Sequence, residues 1–320
     1  MSATASWPRR MFSGAAKLFA AGTLTAAAAT AFGAVSARQF RLRYQTVPLL
    51  PVGHRPLRIL HVGDMHLVHR DRGKIDFVRK LVATQPDLVI NTGDNPGGVN
   101  AVDDVLEALT PLLEITGVFV PGSNDFYGPR PANPLRYLRA PTTIESPDEL
   151  RDVIDVSTMF GAFTAGGWHR LGNRALTLKV RNNLTINFAG THDAHMQADA
   201  WPGFIDTGPA AGVNIAVTHA PYRRVLDTAV ADGADLIFAG HTHGGQVALP
   251  GYGAIVANCD LPTGLASGLF PWRAAGSTGL VNVTSGVGTS PTVPLRTFCP
   301  PESVVVDLVA ADAGTNRPPN

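Results

Sequence analysis

Five times along this chain a short apolar run stops at a turn, and a carboxylate, amide or imidazole follows directly. Arg58-Ile59-Leu60-His61-Val62 stops at Gly63, with Asp64 and His66 next. The run from Asp87 to Asn91 closes at Thr92-Gly93 and delivers Asp94. Val118-Phe119-Val120 stops at Pro121-Gly122, ahead of Ser123-Asn124-Asp125. Val213–Val217 leads into Thr218-His219, and Asp235–Ala239 into Gly240-His241-Thr242-His243-Gly244-Gly245-Gln246. Runs of this length bounded by glycine predict buried strands. Between the first three, Lys74–Ala83 and Val102–Leu113 carry apolar residues at helical spacing. Strands alternating with helices predict parallel pairing through right-handed crossovers. Arg174–Val180, Leu184–Phe188, Leu280–Val283 and Val304–Val309 read as further strands, Val225–Val230 as a helix, and the Pro-rich stretch Gly128–Pro147 as a surface excursion. No repeat or linker divides residues 55–310, so this span predicts one α/β domain of two sheets packed face to face and flanked by helices.

Strand ends on one edge of an α/β sheet open onto one crevice. Asp64, His66, Asp94, Asn124, His219, His241 and His243 can therefore converge, although some 180 positions separate the first from the last. Mixed carboxylate, amide and imidazole donors suit Fe, Mn, Zn or Co better than Ca. A two-metal hydrolase needs such a set, with a carboxylate bridging ions roughly 3.5–4 Å apart. Composition narrows the alternatives. A net charge of +1, from 26 basic and 25 acidic residues, lacks the basic excess of a nucleic-acid duplex binder. Two cysteines, Cys259 and Cys299, exclude a Cys-type zinc knuckle and a disulfide-stapled scaffold, and both read as small buried hydrophobes. Among the other histidines, His61 inside a strand predicts a satisfied core residue, and His54, His69 and His169 predict surface positions.

Residues 1–40 predict a targeting segment. Arg9, Arg10 and Lys17 precede an uncharged Ala/Gly-rich run from Leu18 to Val35, and Arg9-Arg10-Met11-Phe12 is similar to a twin-arginine export signal. Two readings stand: a cleaved signal peptide, or an anchor of about the minimum spanning length. Either predicts export to the cell envelope or membrane attachment through the N-terminus.

The ordered set D-x-H, G-D, N-D, H-x-P and G-H-x-H resembles the calcineurin-like metallophosphoesterases, above all a bacterial branch with Gly-His-Thr-His-Gly-Gly-Gln that is often exported or membrane-associated. The similarity runs from about Arg58 to Glu302 and includes Thr284–Ser290 and Pro294-Leu295-Arg296. It implies a four-layer α-β-β-α sandwich and a binuclear phosphoesterase that hydrolyses a phosphomonoester or phosphodiester through a hydroxide held between two ions. By resemblance, Asp64, His66 and His243 hold one ion, Asn124, His219 and His241 the other, and Asp94 bridges. The substrate implied is a phosphate ester, with a lipid-linked one included. A pyrophosphatase acting on a nucleotide-linked sugar or lipid precursor is one alternative, and a non-catalytic envelope protein retaining the metal site is another.

One motif departs from the family. Where the family has Gly-Asn-His, this chain has Gly122-Ser123-Asn124-Asp125. Aligned on glycine, Ser123 takes the ligand place; aligned on asparagine, Asn124 keeps it and Asp125 replaces the histidine. The second is preferred, because an amide oxygen is the better ligand for a hard ion. The proton donor to the leaving group is then Asp125, His192 or His195, or none where the leaving group is good enough. Arg296 reads as a loop pin or a phosphate contact.

Overall fold

The structure is a computed structural model and describes residues 23, 27–129, 152–181, 184–206, 212–290 and 293–311. Most of the Pro-rich excursion and most of the N-terminal segment lie outside the described residues.

One six-stranded sheet has the order β1 (Arg41–Leu50), β14 (Glu302–Ala310), β2 (Leu57–Val62), β3 (Leu88–Asn91), β4 (Gly117–Phe119), β5 (Trp168–Arg170). The second has the order β12 (Gly268–Ala274), β13 (Ser277–Val283), β9 (Leu236–Ala239), β8 (Val213–Val217), β7 (Leu184–Gly190), β6 (Arg174–Val180). A small hairpin, β10 (Ala248–Leu249) and β11 (Gly253–Ala254), follows the His241–Gln246 loop. The helices are α1 (residues 27–36), α2 (Arg72–Lys80), α3 (Val102–Leu113), α4 (Ser123–Phe126), α5 (Val156–Ala165) and α6 (Arg223–Ala231).

Strands β2 to β5 are parallel, as are β7, β8, β9 and β13, while β14 runs antiparallel to β2. The pleat sorts each strand's residues into two layers. Ile59, Ile90, Val118 and Val306 face Ile186, Phe188, Ile215 and Phe238 across the space between the sheets. Their alternates Leu60, Val62, Val89 and Phe119 pack outward on Ile75, Val78, Val105, Leu109 and Phe163 of α2, α3 and α5. On the far side Ala216, Ile237 and Val281 pack on Leu226 and Val230 of α6. Burial on both faces explains why these strands read as unbroken apolar runs. The four-layer sandwich is thus the observed fold.

Several elements were not legible. Strand β1 lies upstream of residue 55, yet pairs with β14 along its length, so the sheet begins earlier than the sequence predicts. Its burial alternates and Arg41 and Arg43 interrupt it, as befits an edge strand. Strand β12 contains Pro271, which argues against a strand except at an edge, and β12 is an edge. Helix α1 packs on the domain: its Gly33 carbonyl accepts the Arg296 N–H at 3.1 Å, and Phe32 packs on Phe298 with ring centroids 5.4 Å apart. Among the described residues no helix is long and apolar enough to cross a membrane.

Candidate metal centre

Strands β2, β3, β4, β8 and β9 all end at the same edge, and their loops bring the predicted ligands together in a buried cluster. His66 Nε2 and His243 Nε2 are 3.0 Å apart. Asp94 Oδ2 lies 3.5 Å from both His66 Nε2 and His219 Nε2, and His243 Nε2 is 4.0 Å from Asp64 Oδ1. Asp64, His66 and His243 form one group able to hold a cation, and Asp64, Asp94 and His219 a second. His241 sits beside them, its ring 5.2 Å from that of His219. Its Nε2 faces the Asn258 carbonyl at 3.1 Å, which leaves Nδ1 as its free donor atom.

The backbone bends hard to make this cluster. Asp64, His66, Asp94, His241 and His243 all have φ between 40° and 69°. This left-handed region is uncommon for residues other than glycine and persists where the surroundings enforce it, at about 1–3 kcal/mol each. Two glycines give the carboxylates room. A Cβ on Gly122 would stand 2.2 Å from Asp94 Oδ1, and one on Gly240 2.2 Å from Asp64 Oδ2. The His241 N–H fixes Asp64 by donating to both its oxygens at 2.9 and 3.0 Å.

The hydrogen-bond pattern fits cations. His219 Nδ1 donates to the Thr92 carbonyl at 2.6 Å, which aims its Nε2 at Asp94. That fully buried Nε2 has no hydrogen-bond partner, and only a positive charge, a proton or a cation, makes its approach to the carboxylate favourable. His243 Nδ1 accepts from the Arg296 guanidinium at 3.2 Å, so its Nε2 turns a proton toward His66 Nε2 at 3.0 Å. Electrostatics agree. Burial pushes the Asp64 carboxyl up to about 7, and it pushes His66 down to about 4 and His241 and His243 well below the usual histidine range. Burial also opposes charge on His219 and Asp94, but their mutual attraction outweighs it, raising His219 and depressing Asp94. A crowded, dry set of carboxylates and lone-pair donors is an environment that cations stabilise.

Asn124 donates from its backbone N–H to Asp94 Oδ1 at 2.8 Å and from Nδ2 to Oδ2 at 2.7 Å. The oxygen and nitrogen of an amide are told apart by their partners, and turning Asn124 over to offer oxygen here requires a cation to replace its bond to Asp94. Ser123 is buried, its hydroxyl 3.5 Å from Asn124 Nδ2.

Asp125 requires a correction. The sequence offers it as a proton donor, but its oxygens accept four hydrogen bonds: Oδ2 from the Asp94 and Gly122 N–H groups at 3.0 and 2.8 Å, and Oδ1 from the Asn95 N–H and Nδ2 at 2.9 and 3.0 Å. Burial pushes its carboxyl up to about 6, with Asp94 adding to the effect and these donors opposing it. Fully buried and used as an acceptor on every side, it braces the Asp94 loop and has no proton to deliver.

His192 stacks on Phe126 at 5.3 Å, and its Nδ1 accepts the Asp193 N–H at 2.8 Å, so its proton sits on Nε2. His195 packs 4.5 Å from the His241 ring and meets the Tyr222 hydroxyl at 3.2 Å. Arg296 is a loop pin: fully buried, it donates to the carbonyls of His243, Ser285, Gly286, Gly288 and Cys299. His61 is a core histidine, held by Asn282 and Thr92, and both cysteines are free and buried. Sequence reasoning missed Thr92 and Asn258, which touch His219 and His241, and Asn95, which holds Asp125, through backbone or amide groups that carry no motif.

A two-sheet sandwich with this cluster at its strand ends defines a phosphoesterase hydrolase with candidate metal-ligand groups. The chain belongs to the calcineurin-like phosphoesterase family, which it matches over residues 57–245. It is 29% identical over 300 residues to the protein YpbG of Bacillus subtilis (strain 168), covering 90% of this chain and 96% of that protein. It is 25% identical to the metallophosphoesterase YkuE of the same organism, over 81% of this chain and 82% of that one. Among solved structures it is similar to a dimetal phosphatase from Danio rerio, at 11% identity and a TM-score of 0.40, over 72% of this chain and 88% of that chain.

Proposed function

We propose that the protein is a binuclear metal-dependent phosphoesterase. The observation that carries this reading is the place of Asp94, whose Oδ2 lies 3.5 Å from an imidazole nitrogen on each side and 2.7 Å from the Asn124 amide. Asp64, His66 and His243 would hold one ion and Asn124, His219 and His241 the other, with Asp94 shared. The donor set suits Fe, Mn, Zn or Co. When bound, such a pair supplies a nucleophile from water near neutral pH and neutralises charge on the phosphoryl oxygens.

The chain's own residues prepare that chemistry. Asp125 holds the Asp94 loop, Gly122 and Gly240 keep the approach open, and Thr92 fixes the His219 tautomer. His192 carries an Nε2–H beside this edge and is the group that could protonate a poor leaving group. The apolar run Leu18–Val35, which takes in most of α1 and has cationic residues at both ends, supports attachment to the cell envelope, and the docking of α1 on Arg296 and Phe298 favours its retention in the mature chain.

The full chain, supplied with Mn²⁺, is assayed against an aryl phosphomonoester and a bis-aryl phosphodiester. Asp94→Ala and His241→Ala are expected to lose at least about 100-fold in kcat/KM, the scale on which removing a charge-stabilising group acts. Undiminished turnover in either variant rejects the reading.

A further inference from the structure

A ligand imidazole is aimed by whatever holds its other ring nitrogen, because that partner fixes both tautomer and ring direction. Three of the four histidines in the cluster have such a partner. The nitrogen turned away from the cluster meets the Thr92 carbonyl in His219 at 2.6 Å, the Asn258 carbonyl in His241 at 3.1 Å and the Arg296 guanidinium in His243 at 3.2 Å. His66 is the exception. Its Nδ1 is buried and has no hydrogen-bond partner among the described residues. Its backbone has to aim the ring instead.

That backbone, at a φ of 40°, is held on both sides of the residue. The His66 N–H donates to the Asp94 carbonyl at 3.1 Å. The His66 carbonyl accepts from the Lys74 ammonium at 3.0 Å, in a buried contact. A Cβ on Gly97 would stand 2.7 Å from the same carbonyl oxygen, so glycine is what lets that segment close over it. Lys74 lies in the first turn of α2, where the N-cap residue Asp71 pairs with its ammonium at 3.2 Å. A lysine is poorly suited to this place. Burial opposes its charge, and the N-terminus of a helix is the positive end of its dipole. Two unfavourable terms set against one bonded carbonyl mark a residue placed for that carbonyl. Arg296 acts in the same way across the cluster, donating to the His243 carbonyl at 3.2 Å. Two buried cations thus hold the carbonyls of the two histidines grouped with Asp64.

We infer that Lys74 is the positioning residue of His66: by holding its carbonyl, Lys74 aims an imidazole without an outer partner at the site formed with Asp64 and His243. The inference rests on the binuclear reading above and adds to it a residue that supplies no ligand atom. Without the lysine, the left-handed His66 keeps its N–H bond but loses the restraint on its carbonyl, and the ring is free to turn from the cluster. The site of Asn124, His219 and His241 keeps its aim, because both of its histidines have partners of their own. Lys74 therefore acts on one ion site and not on the other.

Metal content and electron paramagnetic resonance of the full chain loaded with Mn²⁺ test this, with circular dichroism to verify the fold of each variant. The wild type is expected to hold two ions and to show the signal of a coupled pair. Lys74→Met keeps the stem and removes the donor; it is expected to hold one ion, with the signal of isolated Mn²⁺. Lys74→Arg keeps a charged donor of sufficient reach and is expected to regain part of the coupled signal. Lys80→Met, at the exposed end of α2, is expected to match the wild type. Two coupled ions in Lys74→Met overturn the positioning role and leave the binuclear reading standing. Loss of both ions together from Lys74→Met overturns the role as well, since general loosening of the cluster would give that result. A wild type that holds fewer than two ions overturns the binuclear reading, and this inference with it.

Discussion

Asp125 shows how one carboxylate can be read in two ways, and mutation separates them. Asp125→Ala leaves the Asp94, Asn95 and Gly122 N–H groups without their acceptor in a dry interior. Each unmet buried donor costs about 1–3 kcal/mol, so urea unfolding is expected to show a loss of several kcal/mol together with weaker metal retention. Asp125→Asn keeps one acceptor oxygen but turns an NH2 toward the other two donors, so it is expected to recover only part of the stability and to leave the acidic limb of the pH–rate profile where it was; displacement of that limb would make Asp125 a proton donor after all. Gly122→Ala is a second test at this scale, because its methyl group would collide with Asp94 Oδ1 and the His219 ring. Activity is expected to fall more than ten-fold with the fold intact by circular dichroism. The metal-ligand candidates were legible because their residue types and spacing follow strand ends. The role of Asp125 was not, since a brace and an acid look alike until hydrogen-bond partners are seen.

Strands β2, β9 and β13 meet at His61, which lies between the sheets with Nδ1 on Asn282, Nε2 on Thr92 and its ring edge-on to Phe238 at 5.2 Å. Burial, with Arg43 adding to it, pushes its pKa down to about 3 from 6.5. Above pH 6.5 the residue is neutral in folded and unfolded chains alike. Below that the unfolded chain takes up a proton that the folded chain refuses, so stability falls as pH drops from 6.5 toward 3, at about 1.4 kcal/mol per unit. His61→Gln, able to bond on both sides without titrating, is expected to flatten this acid slope in denaturant midpoints taken from pH 7 to pH 4.5; an unchanged slope would show that other groups set it. Elements with two buried faces announced themselves as apolar runs. Edge elements did not: β1 mixes arginines with apolar residues, β12 contains a proline, and nothing in the spacing sets Gly33 of α1 against Arg296.

Across the whole molecule, the two sheets act as a frame that holds five loops, three of them in strained backbone, around a buried cluster of carboxylates and imidazoles. The order of these loops in the sequence made the sandwich legible, because alternating strands and helices admit few topologies. The long range of the assembly was not legible: Arg296 ties the His243 loop to segments 285–288 and 296–299, and nothing in the spacing shows that these meet. Because Asp64 and Asp94 are buried together, cations stabilise the native state by mass action. Chelation is therefore expected to lower Tm by several degrees, with recovery on adding Mn²⁺. Elemental analysis of the purified full chain tests the account most directly. Two bound transition-metal ions per chain are predicted, falling to one or none in Asp94→Asn. A wild-type chain that retains no metal after saturation, or an Asp94→Asn chain that still holds two, would contradict it.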